Sequence, residues 1–533
     1  MAPPGGACRE PAARESVFVL STDTSREAIT SSLRALLHTR HHEIASHRFT
    51  VLDTFDRRVR RAGARLTRTS TDAGSVIAWQ PRDERAPLTV RLAGPVSFAW
   101  DLPAGPLHES IAPVIGVRRL LPQADAEGQG SALDILDDRQ KTVARLRIES
   151  GQVRQPAARN TWQPLPTILT LTALRGYDEA YERLRPVIAS RPGISSCPDG
   201  LEGVLFQHAG VPDAGEGASL KIDLAPGIPA EVGARGIHQA IAGILTANEP
   251  GLRANIDTEF LHDFRVALRR TRSLLRQLRG VFPFDRVEHF STEFSWLGRL
   301  TGPARDLDVL GLSLHAQATD LSSPDLDALI AVLGEAQARE RQVLIEALDS
   351  PRYQTLLLDW QRFLARPAAF APAAPDARRP LAGVAAGRAW RLSKRLAQSA
   401  EAIGEHSDPG ELHEVRITAK KLRYLIDVTS SFYDADELDG VLVALKKLQR
   451  VLGDFNDARV QETRLVELGQ TVGAAGGPAS ALLALGRLAE RSRQRRDRLY
   501  PEAADELRQF RSRATRAACR RAFKHRAQED GVR

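Results

Sequence analysis

The chain has 533 residues, 42% of them apolar, with 74 Lys and Arg against 66 Asp and Glu and a net charge of +8. This is enough apolar surface for roughly two to four folded units and excludes wholesale disorder, while the small charge excess means that any anion-binding role must come from local clustering. Cys8, Cys197 and Cys519 have unrelated spacings, no apolar run approaches the ~18–20 residues of a membrane span, and MAPPGGACREPAARES lacks the apolar stretch of a secretory signal. The expectation is a cytoplasmic protein without a disulfide framework, zinc site or membrane segment.

In chain order, residues 16–225 carry short β-type runs broken by Gly and Pro: SVFVLS at 16–21, RFTVLDT at 48–54, GSVIAWQ at 74–80, PLTVRLAG at 87–94, SALDILDD at 131–138 and TVARLRIES at 142–150. Several alternate apolar and polar residues, as half-buried antiparallel strands do. REAITSSLRALLHTR at 26–40 has helical spacing, so this first unit is predicted to be α+β. From Pro229 the pattern turns helical, with apolar residues recurring at three and four. Repeat boundaries are expected at about 230–365 and 388–515, with a Pro/Ala-rich linker over 366–387 and a Gly-rich break at 469–480. From Arg487 to the end, 15 Lys and Arg face 7 Asp and Glu. This reads as a solvated helix face or a frayed end, with 516–533 set apart as a basic tail.

The helical part repeats itself. LHDFRVALRRTR from Leu261 returns 151 residues later as LHEVRITAKKLR from Leu412, and the offset persists without a gap: Asp257 matches Asp408, Phe282 Tyr433, Leu297 Leu448, Arg299 Arg450, Gly302 Gly453 and Asp306 Asp457. Asp257 and Asp408 are expected N-caps, the latter followed by Pro409. Leu261, Phe264, Leu268, Leu275 and Leu278, like Leu412, Val415, Ala419, Leu422 and Ile426, form core stripes. Gly302 and Gly453 are read as helix stops, with Asp306 and Asp457 near the start of the next helix.

Beside the first core stripe lies a second one, His262, Arg265, Arg269, Arg272, Arg276 and Arg279, at spacings of three and four, so all six project from one side of a helix over roughly 25 Å. The second copy presents His413, Arg416, Lys420 and Arg423 at the same offsets and stops at Asp427; Arg270 and Lys421 flank the rows. Like charges at these spacings repel by some tenths of a kcal/mol per pair, and between 259 and 279 only Glu259 and Asp263 offer relief. A polyanionic partner explains such a row better than stability does. The histidines admit three readings: a hydrogen bond to a neighbouring helix, donation to a phosphate, or metal ligation with Asp306 and Asp457. The last lacks any H-x₃-H, H-E-x-x-H or C-x-x-C support, and Asp306, Asp308 and Asp457 read better as caps or ion-pair partners.

These residues resemble the CHAD domain, the conserved histidine α-helical domain, through LHDFRVALRRTR (261–272), LGRLTGPARDLDVL (297–310), ELHEVRITAKKLRYLID (411–427) and KLQRVLGDFNDARV (447–460). The resemblance implies an all-α fold of two repeated four-helix bundles over 230–515 and a basic surface that binds inorganic polyphosphate, with members found on polyphosphate granules. Its basic and His positions fall on His262, Arg265, Arg269, Arg272, His413, Arg416, Lys420 and Arg423; the candidate phosphate-binding set adds Arg270, Arg276 and Lys421. VLDTFDRRVRRAGARLTR (51–68) and ALDILDDRQKTVARLRIESGQV (132–153) are similar to the CYTH fold, an antiparallel triphosphate tunnel barrel. That family's E-x-E-x-K strand is replaced here by SVFVLSTD and its L-R-x-R strand by L-T-R-T at 66–69, departures that remove metal ligands and much of the phosphate cradle; Arg65, Arg68, Arg91 and Arg147 remain as anion ligands or as ordinary surface arginines.

The leading expectation is therefore a non-enzymatic polyphosphate-binding protein with no cofactor, metal or catalytic residue. The alternative is a metal-dependent triphosphate hydrolase in the N-terminal unit. Nucleic acid is disfavoured as a partner, since no aromatic platform interleaves the basic rows.

Overall fold

A computed structural model describes residues 15–21, 24–71, 74–81, 87–156, 161–211, 220, 222–316, 323–403 and 409–524. The chain divides into two compact units, Met1–Gly217 and Ala218–Arg533, and Cys8 and Asp408 lie outside the described residues.

The first unit is built on β1 (Glu15–Leu20), β2 (Thr39–Asp53), β3 (Ala64–Thr71), β4 (Gly74–Pro81), β5 (Leu88–Leu92), β6 (Leu121–Leu136), β7 (Thr142–Arg154), β8 (Gln163–Ala173) and β9 (Ile194–Cys197). They form one antiparallel sheet in the order β5-β4-β3-β2-β6-β7-β8-β1-β9. Every strand expected from alternation is present. The predicted helix shortens to α1 (Arg26–Leu36), because the residues from Thr39 onward pair with β6. β3, which only the family resemblance pointed to, and β8 and β9 had no counterpart in the alternation reading, and neither did the helices α2 (Arg58–Arg61), α3 (Pro106–Ile115), α4 (Asp178–Ala189) and α5 (Gly200–Ala209). The sheet wraps. Five strand spacings separate β3 from β1, about 24 Å if flat, yet Arg65 of β3 stands 3.4 Å from Glu15 of β1. Gly151 assists the bend at a register shift between β7 and β8; a Cβ there would meet Glu127 O at 1.8 Å, so only glycine fits. Leu133, Leu146, Ile148, Leu169 and Leu171 of the sheet are buried together with Leu33 of α1 and Ile188 of α4. This wrapped antiparallel sheet is consistent with a CYTH-like barrel.

The second unit is helical: α6 (Ala230–Arg253), α7 (Thr258–Gln277), α8 (Phe284–Ala316), α9 (Ser323–Asp349), α10 (Pro351–Ala365), α11 (Leu381–Ala402), α12 (Pro409–Thr429), α13 (Ala435–Ala474), α14 (Ala479–Phe510) and α15 (Arg513–Cys519). Both expected apolar stripes are buried. Asp257 caps α7, its Oδ1 accepting from Glu259 N and Phe260 N, and α12 opens on Pro409. The duplication is visible at the entries to α6 and α11, where Pro229 and Pro380, again 151 apart, pair across a short bridge and Leu381 N donates to Ile228 O. Helices of the two copies also share cores: Leu310 and Leu314 of α8 and Leu329 and Leu333 of α9 pack with Leu465 of α13 and Leu485 of α14.

Three local expectations are corrected. Gly302 and Gly453 do not stop helices; each lies inside a long helix, α8 or α13, and neither has a positive φ. A Cβ on Gly302 would lie in ordinary contact, 3.6 Å from an Arg265 guanidinium nitrogen, whereas one on Gly298 would stand only 2.9 Å from Arg272 Nη1: glycine at 298 on α8 leaves room for an arginine crossing from α7. Accordingly Asp306 and Asp457 stand mid-helix rather than at a helix start. The linker spans 366–380, since Leu381–Gly387 already belong to α11; small Ala and Gly residues there serve close packing, with Gly383, Ala385 and Ala386 buried. Of the tail set at 516–533, the described residues, up to Lys524, are helical and partly buried. α15 runs into a π-helical turn at Arg520–Lys524, and Ala518, Cys519, Ala522 and Phe523 are buried.

Candidate functional site: a cationic trough between the two helical copies

α7 and α12 bring the heads of their basic stripes to one place, because the core stripe beside each is buried and fixes the helix rotation. A cavity of ≈340 Å³ is lined by His262, Arg265 and Arg269 from α7 and Arg416 and Lys420 from α12. Arg305, Asp306 and Val309 of α8, and Asn456, Asp457, Gln461 and Arg464 of α13, complete it. Positions 151 apart line it together: Arg265 and Arg416, Arg269 and Lys420, Arg305 and Asn456, Asp306 and Asp457. Six cationic side chains meet two carboxylates.

Both carboxylates are committed. Asp306 Oδ2 accepts from Arg464 Nη2 at 2.8 Å and Nε at 3.0 Å, and Asp457 stands 3.6 Å from Arg416. Thus both act as ion-pair partners, as expected of them, and not as caps. Arg265 donates to Thr301 Oγ1 at 2.8 Å and Gly298 O at 3.2 Å; Arg305 donates to Thr258 O at 2.8 Å and lies 3.6 Å from Glu259. Among the described residues the buried Nε atoms of Arg269, Arg272 and Arg416 have no hydrogen-bond partner. Burial, the neighbouring Arg269, and then Arg305 and Arg272 push the Arg265 guanidinium down to about 10 despite Asp306. Burial, with Arg416 and Arg269, brings Lys420 down to about 7, opposed by Asp457. Burial is also the leading cause that lowers Arg305 and Arg416. Arg269 acts on Arg265 of its own copy and on Arg416 and Lys420 of the other, so it is the electrostatic centre. Desolvated like charges at close range are costly, and an anion inserted among them relieves that cost.

The remaining sequence candidates sit elsewhere. Arg270 lies 3.9 Å from Asp427 and over the Tyr424 ring at 5.9 Å, while Arg423 donates to Asp427 at 2.6 Å. Arg272 runs along Gly298; Arg276 is exposed and Lys421 half-buried, neither of them in the trough lining. His413 Nδ1 donates to Asn456 Oδ1 at 2.8 Å, which is the neighbouring-helix reading; His262 lines the trough itself. Sequence reasoning missed Arg305, Asn456, Gln461 and Arg464. Arg305 was legible as the neighbour of repeated Asp306, whereas Arg464 has Ser313 at its matching position and left no repeat signal. Among the described residues no group of three or more His, Cys, Asp or Glu side chains is placed to hold a metal.

Residues 237–466 match the family model of the CHAD domain. This segment is a CHAD domain. The trough of the CHAD domain thus lies on the motif residues of both of its halves. Two uncharacterized proteins of Mycobacterium tuberculosis, from strains CDC 1551 / Oshkosh and ATCC 25618 / H37Rv, are each 27% identical over 291 residues, 50% of this chain and 53% of theirs. The chain therefore matches about half the length of these curated relatives. Among solved structures, the CHAD domain from the plant Ricinus communis is 26% identical with a TM-score of 0.47, covering 54% of this chain and 95% of that one. PptA from Streptomyces chartreusis is 18% identical with a TM-score of 0.41, covering 53% and 100%.

The sheet unit holds its own cavity of ≈290 Å³, lined in part by Glu15, His47, Arg65, Glu127, Arg147 and Glu149. Its cations face carboxylates: Arg65 lies 3.4 Å from Glu15 and 3.8 Å from buried Glu202, and Arg147 and His47 lie 2.9 and 3.3 Å from Glu149. Arg68 and Arg91 do not line it.

Proposed function

We propose that this protein binds inorganic polyphosphate without chemically altering it, and that the CHAD trough is the binding site. The observation that carries this reading is the convergence of six cations from both repeat copies on a single cavity holding two carboxylates. A linear chain of phosphates supplies negative charge at every unit, and Arg forks match phosphate oxygens bidentately. Arg269 and Arg416, whose buried Nε donors have no partner among the described residues, offer hydrogen bonds that cost nothing to redirect. In this reading Arg272, Arg276, Lys421 and the exposed basic positions beyond the trough guide a longer chain toward it, and the protein associates with polyphosphate granules. The paired charges of the sheet cavity favour no triphosphate reading, so no catalytic residue is assigned.

The test is titration of the full chain with long-chain polyphosphate over a range of salt. If all six cations release counterions, the log–log slope against salt is about −4, by analogy with single-stranded nucleic acid. Arg269→Gln with Lys420→Gln, two side chains that make no hydrogen bond among the described residues, lowers affinity at least tenfold without unfolding the chain. Binding that is flat up to ~0.5 M salt, or is retained by Arg265/Arg269/Arg416/Lys420→Ala, defeats the proposal.

A further inference from the structure

A separate cavity of ≈500 Å³ opens between α11, the C-terminal end of α14 and α15. Its construction is specific. Ser512 caps α15, its Oγ accepting from Thr515 N at 3.2 Å, and Arg511 pins the turn to α11 through Glu401 at 3.0 Å. The π-helical turn at Arg520–Lys524 is then held by buried Phe523, whose ring meets Tyr433 at 5.3 Å. Such π turns recur at functional sites. The apolar lining comes from Trp390, Ala397, Phe510 and Ala517, with Cys519. Burial pushes the Cys519 thiol up to about 11, so it packs as an apolar group and offers no nucleophile.

The charged lining is one-sided. Among the described residues Lys394, Arg511, Arg513, Arg516 and Arg520 face a single carboxylate, Glu401, which Arg511 already occupies. Among the described residues Lys394, Arg513, Arg516 and Arg520 form no ion pair. A cavity of this volume holds a small organic molecule rather than an ion. Its indole and phenyl rings suit a flat aromatic body, while its cations require an acid.

We infer that this cavity binds a small amphipathic anion: an aromatic ring system carrying one phosphate, sulfonate or carboxylate group. Polyphosphate has no apolar surface to place against Trp390 and Phe510. The site shares no residue with the trough, and α15 lies beyond the matched residues 237–466, so it is a feature of this chain that the family match does not include.

The experiment uses the full chain and 1-anilinonaphthalene-8-sulfonate, an aromatic sulfonate that fluoresces on leaving water. One saturable class of sites is expected, with micromolar affinity. Lys394→Glu with Arg516→Glu, both at exposed positions, weakens it at least tenfold, and Ala397→Trp, which fills the cavity from α11, abolishes it; circular dichroism confirms that both variants fold. The uncharged analogue N-phenyl-1-naphthylamine binds at least tenfold more weakly, and saturating polyphosphate leaves the sulfonate bound. Non-saturable binding, binding retained by either variant, equal affinity for the neutral analogue, or displacement by polyphosphate overturns the inference. Loss of polyphosphate binding in the trough variants with this site intact separates the two readings.

Discussion

Lys420 is where burial and like charge have the clearest functional consequence. Its ammonium is brought down to about 7 by desolvation and by Arg416 and Arg269, against Asp457. A bound polyanion favours the charged form and raises that value again. Below about pH 7 the lysine is already protonated and affinity does not vary with this group; above pH 7, binding must draw a proton from solution. Polyphosphate affinity therefore falls several-fold between pH 7 and 8, while Lys420→Arg, which stays charged, shows no such decline. Titrations at fixed ionic strength check this, since internal phosphates remain ionised throughout. A second buried group affects only stability. His238 of α6 is fully buried beside Phe282 and Trp360, neither ring nitrogen has a hydrogen-bond partner among the described residues, and desolvation brings its value down from 6.5 to about 3. The unfolded chain takes up this proton first, so the neutral imidazole's stability is complete above about pH 6.5 and is lost as pH falls toward 3, by at most about 1.4 kcal/mol per unit. His238→Leu is expected to flatten that acid limb in thermal melts recorded between pH 7 and 4.

At the scale of elements, repeat spacing and hydrophobic period were enough to place α7 and α12, their core faces and the Asp257 cap, because those features depend on local sequence. Helix length was not legible in the same way. Gly302 and Gly453 suggest breaks when only the chain is read, but both helices run through them; one turn earlier, at Gly298, a Cβ would stand 2.9 Å from Arg272 Nη1, so that glycine's smallness serves an arginine arriving from another helix, a tertiary reason that the sequence does not display. Gly453 makes the correction testable. It lies inside α13 without a positive φ, and a Cβ there would meet nothing within 4 Å. Gly453→Ala therefore stabilises the protein by about 0.5–1 kcal/mol through helix propensity. A helix-stopping glycine would give the opposite sign. Gly251 is the contrasting case: a Cβ there would lie 2.2 Å from the Phe260 ring, so Gly251→Ala forces α6 away from α7 and lowers the melting temperature.

At the scale of the helical unit, duplication has gathered two basic stripes around one cavity and then broken the symmetry between them. Where the first copy has Arg305, the second has Asn456, which holds His413; where the second has Arg464, the first has Ser313. Self-comparison points to Arg305 only through its neighbour, the repeated Asp306, and gives no pointer to Arg464, which appears only once the helices are packed. The two carboxylates retained at equivalent positions, Asp306 and Asp457, keep Arg464 and Arg416 in place and oppose an incoming anion. If their main effect on the ligand is repulsion, removing them strengthens binding. A unit charge about 6 Å from a phosphate in a water-like dielectric is worth about 0.7 kcal/mol, roughly threefold in affinity, and the effect shrinks with salt. Asp306→Asn with Asp457→Asn should accordingly tighten polyphosphate binding several-fold at 50 mM salt and little at 0.5 M, measured by direct titration. If orientation of Arg464 and Arg416 matters more than repulsion, the same variant binds more weakly at both salts. The two physical roles of one carboxylate pair are thus separated by the sign of a single measurement.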